Sequence, residues 1–265
     1  MRYSLIKLGL CLLVLLVLDS CKRRKKINPF GDACPLIGVT DENGQRISEY
    51  EYVGAKLIRI YNLRKPKTNM SFKYNEKDQL SEMKVENEDN TDDFLVKFFY
   101  NDEGQLSETV SNILGLDILK NTFTISENKY VKVNTTVSLF GQEVKGETKI
   151  EYSNDNVSKV YTSVNGEPQM LAFAGDVYDN MPQYHPEVYK LASLGFVGIN
   201  NQFFNYLSKN NLVLGRIYNE EGVLDQKSSL DYKYDKSGMP KEISVITERG
   251  EEKASEKLLT QFLCP

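Results

Sequence analysis

One local pattern governs what this chain can fold into. An aromatic residue, a polar turn and an apolar residue recur along it. Phe72-Lys-Tyr74-Asn-Glu-Lys-Asp78-Gln-Leu80 is followed by Phe98-Phe-Tyr100-Asn-Asp-Glu-Gly104-Gln-Leu106, with the tyrosines 26 apart. Further copies are Tyr218-Asn-Glu-Glu-Gly222-Val-Leu224 and Tyr234-Asp-Lys-Ser-Gly238-Met-Pro240. A looser copy, Ile150-Glu-Tyr152, carries Asn156, and Thr40-Asp-Glu-Asn-Gly44 is a weaker echo. The aromatic ends one strand and Asn or Asp opens the turn. The fifth position holds Gly, Asp or Asn, the residues that tolerate positive φ. The apolar residue two places later starts the return strand. Each copy is therefore a β-hairpin with a three-to-five-residue loop. Val164-Asn165-Gly166-Glu167 reads as a two-residue turn.

The flanking segments agree. In Lys149-Ile150-Glu151-Tyr152 and Leu230-Asp231-Tyr232-Lys233-Tyr234 apolar or aromatic residues alternate with charged ones, as in a sheet with one dry and one wet face. The tyrosines 74, 100, 152, 218 and 234 are expected to pack the sheet rather than form a stacking row for a ligand. Residues 182–211 break the pattern. Pro186 suits a first helical position. Val188, Leu191 and Ala192 share one helical face, and Phe203, Phe204 and Leu207 another. The expected fold is mainly β, an antiparallel meander of hairpins forming a curved sheet or open barrel. A short two-helix insertion packs on the sheet or caps one end. Lys257–Cys264 is expected to be a last strand, pairing with Lys241–Glu248 across Arg249-Gly250.

The N-terminus is an export signal. Arg2 and Lys7 precede an apolar run from Leu8 to Leu18, too short to span a bilayer and suited to a signal peptide. It ends in Leu18-Asp19-Ser20-Cys21, which resembles a bacterial lipobox; Asp19 departs from the small residue usual there. The resemblance implies cleavage before Cys21 and lipidation of its thiol. The expected layout is a signal peptide (1–20), a lipidated basic tether (21–33) and one β domain (34–265). Lys22, Arg23, Arg24, Lys25 and Lys26 suit anionic head groups. The chain has 33 Lys and Arg against 37 Asp and Glu. Residues 1–26 hold seven of the former and one of the latter, so the remainder has 26 and 36, net −10. An acidic body argues against nucleic acid as a partner.

Of four cysteines, Cys11 leaves with the signal and Cys21 is the lipid site. Cys34 and Cys264 remain, and an exported protein sees an oxidising compartment, so a Cys34–Cys264 disulfide is expected.

The lipobox, the tyrosine turns, Tyr178-Asp-Asn-Met-Pro182, Ser208-Lys-Asn-Asn211 and the late cysteine together resemble uncharacterised β-rich lipoproteins of Bacteroidetes. The turns are also similar to the Tyr-Asp repeats of larger bacterial surface shells. The resemblance implies a β-meander at the cell envelope and supplies no reaction.

Chemistry has little foothold. His185 is the only histidine, and no GxSxG elbow accompanies it. The acids Asp89, Asp92, Asp93, Asp102 and Glu103 cluster in expected turns. There is no CxxC, P-loop or GxGxxG, so no cofactor and no metal are expected. The reading is a non-enzymatic binding or scaffold lipoprotein of the outer membrane, facing the periplasm because basic rather than acidic residues follow Cys21. A first alternative is a carrier of a lipid or other apolar ligand, held by Phe196, Phe203, Phe204 and Leu207. A second is a carboxylate-dependent glycan hydrolase, which needs two facing carboxyls.

Overall fold

The computed structural model describes residues 34–88, 94–113, 115–198 and 201–264. Asp89, Asp92 and Asp93, the signal peptide, Cys21 and the basic tether lie outside the described residues. Sixteen strands run in chain order: β1 (Leu36–Asp41), β2 (Arg46–Val53), β3 (Lys56–Asn62), β4 (Thr68–Tyr74), β5 (Leu80–Asn87), β6 (Phe94–Tyr100), β7 (Leu106–Ile113), β8 (Leu116–Ser126), β9 (Lys129–Leu139), β10 (Gln142–Ser153), β11 (Asn156–Val164), β12 (Met170–Pro182), β13 (Asn210–Tyr218), β14 (Leu224–Tyr234), β15 (Pro240–Arg249) and β16 (Glu252–Phe262). Helix α1 (Val188–Gly195) and a 3-10 helix (Asn201–Leu207) join β12 to β13.

Every strand pairs antiparallel with its neighbour in sequence, and β1 closes onto β16. The meander is therefore a closed barrel, not a curved sheet or open barrel. Register Thr40↔Leu259 and Asp41↔Leu258 makes the seam. The seam joins segments more than 200 residues apart, so no local pattern announces it. The expected last hairpin is present, with Glu248↔Lys253 and Arg249↔Glu252 paired across the turn.

Because strands alternate in direction, each end of the barrel collects one set of turns. The turns after β2, β4, β6, β8, β10 and β14, the β12–β13 insertion and both chain termini share one end, called here the terminal end. Cys34 and Cys264 are bonded there, as expected, across 230 residues.

The five-residue turns share one geometry. The opening side-chain oxygen accepts two backbone N–H bonds: Asn75 from Lys77 and Gln79, Asn101 from Glu103 and Gln105, Asn219 from Glu221 and Val223, Asp235 from Ser237 and Met239, and Asp41 from Asn43 and Gln45. Asp78 adopts φ 62° where Gly104 adopts 78°. The looser copy differs. Positive φ falls on Asn154 and Asp155 in a two-residue turn, while Asn156 is buried and exchanges hydrogen bonds with Asn210.

The insertion packs on the sheet, as expected, but on its inner face, within the lumen. Gly195 lies against Val96 and Phe98 on β6. Val197 C=O accepts from Asn121 Nδ2 on β8 at 3.2 Å. Tyr189 bonds Tyr50 on β2 at 3.2 Å, and Tyr184 meets Tyr232 and Phe262. Contacts in so many directions require a plug inside the wall. α1 starts at Val188, two residues after Pro186, with Glu187 as N-cap. The second helical segment is 3-10 rather than α, a form favoured in short connectors. Leu57, Leu80, Met83, Val96, Leu106, Val133 and Val160 form a core with Leu194, Val197 and Phe204 of the plug.

Candidate functional site

The repeat tyrosines have a second role that their spacing only half discloses. Near the terminal end, a tyrosine of an even strand donates its hydroxyl to the first residues of the preceding odd strand. Tyr52 bonds Leu36 C=O at 2.9 Å, Tyr74 bonds Leu57 at 2.8 Å and Tyr100 bonds Leu80 at 2.8 Å. Tyr152 bonds Tyr130 at 3.1 Å, Tyr178 bonds Val157 at 2.7 Å and Tyr232 bonds Leu212 at 2.9 Å. Leu80, which begins the return strand after Tyr74, is buried and offers its carbonyl to the next tyrosine, Tyr100. Burial pushes the phenols of Tyr74 and Tyr178 up to about 12, and that of Tyr100 higher. They are neutral donors at any physiological pH. Tyr218 belongs to a turn at the opposite end and instead carries the Arg216 guanidinium over its ring.

These latches leave the tyrosine rings facing the mouth. Between the hairpins and the start of α1 lies a cavity of about 570 Å³, within the usual size of ligand pockets. Its wall holds Tyr52, Tyr74, Tyr100 and Tyr130, with Leu57, Leu80, Leu106, Ile125, Val188 and Leu191. Its rim holds Lys56, Asp78, Gln79, Gln105, Asn128 and Glu187. Lys56 is paired with Asp78, and Glu187 with Lys190 at 3.3 Å.

A second depression at the same end contains His185. Its ring lies 4.0 Å from Tyr184, 5.0 Å from Tyr189 and 4.8 Å from Tyr206. Nδ1 is buried without a hydrogen-bond partner. Burial pulls the pKa down to about 3, far from the value a general base needs near neutrality. Deeper in, Asp179 accepts from Tyr234, from the Asn211 and Met181 backbone N–H groups, and from Asn211 Nδ2. It ties β12, β13 and β14 together.

The residues singled out from sequence scatter. Phe204 is buried in the core. Phe196 stacks on Phe94 at 5.5 Å and 20° and lines a separate cavity of about 60 Å³ with Ile60 and Met70. Leu207 lines the His185 depression. The side chain of Phe203 lies outside the described residues. Phe196, Phe204 and Leu207 are not on the wall of the large mouth cavity. Asp102 and Glu103 are exposed in their turn. The carboxyls with displaced pKa among the described residues are Asp155, Asp235, Glu242 and Glu248, all lowered by hydrogen bonds to their partners. Among the described residues no cluster of His, Cys, Asp and Glu is placed to hold a metal ion.

The outer wall is charged. Lys73 pairs with Glu82 at 2.6 Å across β4–β5, Lys120 with Glu108 at 2.6 Å across β7–β8, and Lys132 with Glu147 at 2.5 Å across β9–β10. Arg216 pairs with Asp176 at 2.6 Å across β12–β13, and Lys233 with Glu242 at 2.7 Å across β14–β15. These pairs alternate with buried inward residues such as Phe72, Thr148 and Ile243.

No family model matches the chain, and no curated protein matches it. Solved structures do. A porin-like protein from Bacteroides uniformis is similar at TM-score 0.53 and 14% identity, covering 89% of this chain and 97% of that one. A porin-like protein from Bacteroides vulgatus is similar at TM-score 0.39 and 12% identity, covering 87% and 99%. The first shows a shared barrel fold.

Proposed function

We propose that this chain is an envelope lipoprotein whose barrel stands in water and binds a ligand, rather than crossing the membrane or conducting. The outer wall carries the proposal. A membrane barrel needs an apolar band facing lipid, and Arg or Lys at the bilayer midplane costs about 2–4 kcal/mol each. Here ion pairs ring the wall on β4–β5, β7–β8, β9–β10, β12–β13 and β14–β15, while apolar side chains face inward. The arrangement is inverted relative to a pore, and the plug fills the lumen. Membrane attachment then falls to lipid on Cys21 and to the basic residues 22–26, with the body on the periplasmic side of the outer membrane. Binding rather than catalysis fits the mouth, where burial holds His185 neutral and the rim charges are mutually paired.

The test is fractionation of the producing cells. The full chain should pellet with membranes and carry acyl mass on Cys21, and proteolytic clipping within 22–33 should release a water-soluble barrel. Retention of the clipped barrel in the bilayer, or ion conductance when it is added to a planar membrane, would overturn the reading.

A further inference from the structure

We infer that the mouth cavity holds the chain of a single-chain membrane amphiphile with an uncharged, hydrogen-bonding head. This deepens the anchored-binder reading and rests on it for the source of the ligand. The cavity has the size and the apolar wall of a ligand site. Three of its four tyrosine hydroxyls are already spent on strand carbonyls, so Tyr52, Tyr74 and Tyr100 offer ring surface and no free donor to the interior. An acyl chain matches that wall, whereas a sugar would leave its own hydroxyls unpaired there.

The rim selects the head. Lys56 and Asp78 neutralise each other, and Glu187 is paired with Lys190. What remains is amide, at Gln105 Nε2 and Asn128, since the Gln79 amide is already bonded to Gly104 C=O and to Asn75. A carboxylate or phosphate head finds no uncommitted cation on this rim, while an alcohol or glycerol head finds donors and acceptors.

Geometry supplies the source. Cys34 is on the same end of the barrel as the cavity, and the Tyr52 hydroxyl bonds Leu36, the first residue of β1. Residues 22–33 separate Cys34 from Cys21, a reach of roughly 45 Å at full extension. A lipid on Cys21 thus keeps the mouth within reach of the bilayer surface.

The experiment uses the full chain in isolated membranes and a monoacylglycerol bearing a diazirine in its acyl chain. After irradiation, labelled peptides are mapped. Label is expected on 74–80, 100–106 or 188–191, competed by unlabelled monoacylglycerol but not by glycerol, and roughly tenfold less well by the fatty-acid anion. Leu191→Lys, at a half-buried wall position, should cut labelling roughly tenfold or more by placing a charge in the cavity. Ala55→Trp, in an exposed turn on the rim, should obstruct entry without touching the core. Ser107→Ala, which removes an exposed bond to Phe99 C=O away from the cavity, should label like the parent. Label elsewhere, competition by glycerol alone, or equal competition by the anion overturns the inference. Sedimentation and the Cys21 mass judge the anchor separately. A labelled pocket on an unanchored chain sinks only the anchored reading, and an anchored chain with an unlabelled pocket sinks only this one.

Discussion

His185 and the latch tyrosines show how much a single buried polar atom decides. In the unfolded chain a histidine titrates near 6.5; in the folded one burial holds it to about 3. Its contribution is complete above pH 6.5 and is lost as pH falls, because the unfolded chain takes up a proton that the fold refuses. By pH 4 the loss amounts to about 3 kcal/mol. Urea unfolding at pH 7 and pH 4 should therefore show a smaller acid loss for His185→Phe than for the parent, while carboxylate effects stay common to both. Equal losses would mean the ring is hydrated in the fold. For the latches, Tyr100→Phe keeps the ring and strands the Leu80 carbonyl. A cost of about 1 kcal/mol is expected by urea unfolding; no cost would show that water replaces the hydroxyl. Of the latch tyrosines, Tyr74, Tyr100 and Tyr152 were legible in the sequence as packing the sheet, and they pack against the core. The bond to the neighbouring strand was not, because it needs the register of two hairpins at once.

At the level of elements, the repeat hairpins were readable because their determinants lie within nine residues; the β2–β3, β7–β8 and β9–β10 turns fall outside the repeat and were not. Asn101 opens the turn, Gly104 supplies the left-handed conformation, and Leu106 restarts the strand. The insertion was readable as helical from Val188, Leu191 and Ala192. Its place was not, because the residues that seat it are polar and lie on strands far away in sequence. Asn121 is fully buried, accepts from Thr135 Oγ1 at 2.7 Å and donates to Val197 C=O at 3.2 Å. It fixes Val197, two residues past the end of α1, to β8 and β9. Asn121→Ala should cost about 2–3 kcal/mol by leaving both groups unsatisfied. Ser107→Ala, which removes an exposed bond to Phe99 C=O, should stay within about 0.5 kcal/mol. If the two variants unfold alike, the plug is not held by this contact. The mouth cavity itself was half legible: its tyrosines and leucines are the repeat residues. Its helical wall, Val188 and Leu191, was read only as the apolar face of a helix, because nothing local says which strands a helix will face.

For the whole molecule the deciding event is closure. Fifteen of the pairings join strands adjacent in sequence, fourteen through a turn or short loop and β12–β13 through the insertion; only β1–β16 has no connection of its own. That seam must be formed across nearly the full chain, and the Cys34–Cys264 bond sits beside it. The cysteine count pointed to this bond, yet closure itself was not implied, since a disulfide between the ends of a curved sheet would satisfy the same count. In the chain-entropy account, a loop of 230 residues confines the unfolded state by about 5 kcal/mol. The bond therefore substitutes for the missing turn: it keeps β16 close to β1 while the other pairs form. Reduction should lower stability by up to that amount, and the loss should begin at the seam. Hydrogen exchange on the reduced protein should show early opening of β1 amides facing β16, while β9–β10 amides remain protected. Uniform opening of all strands would mean that the barrel closes on side-chain packing around the plug and that the bond is dispensable to the seam.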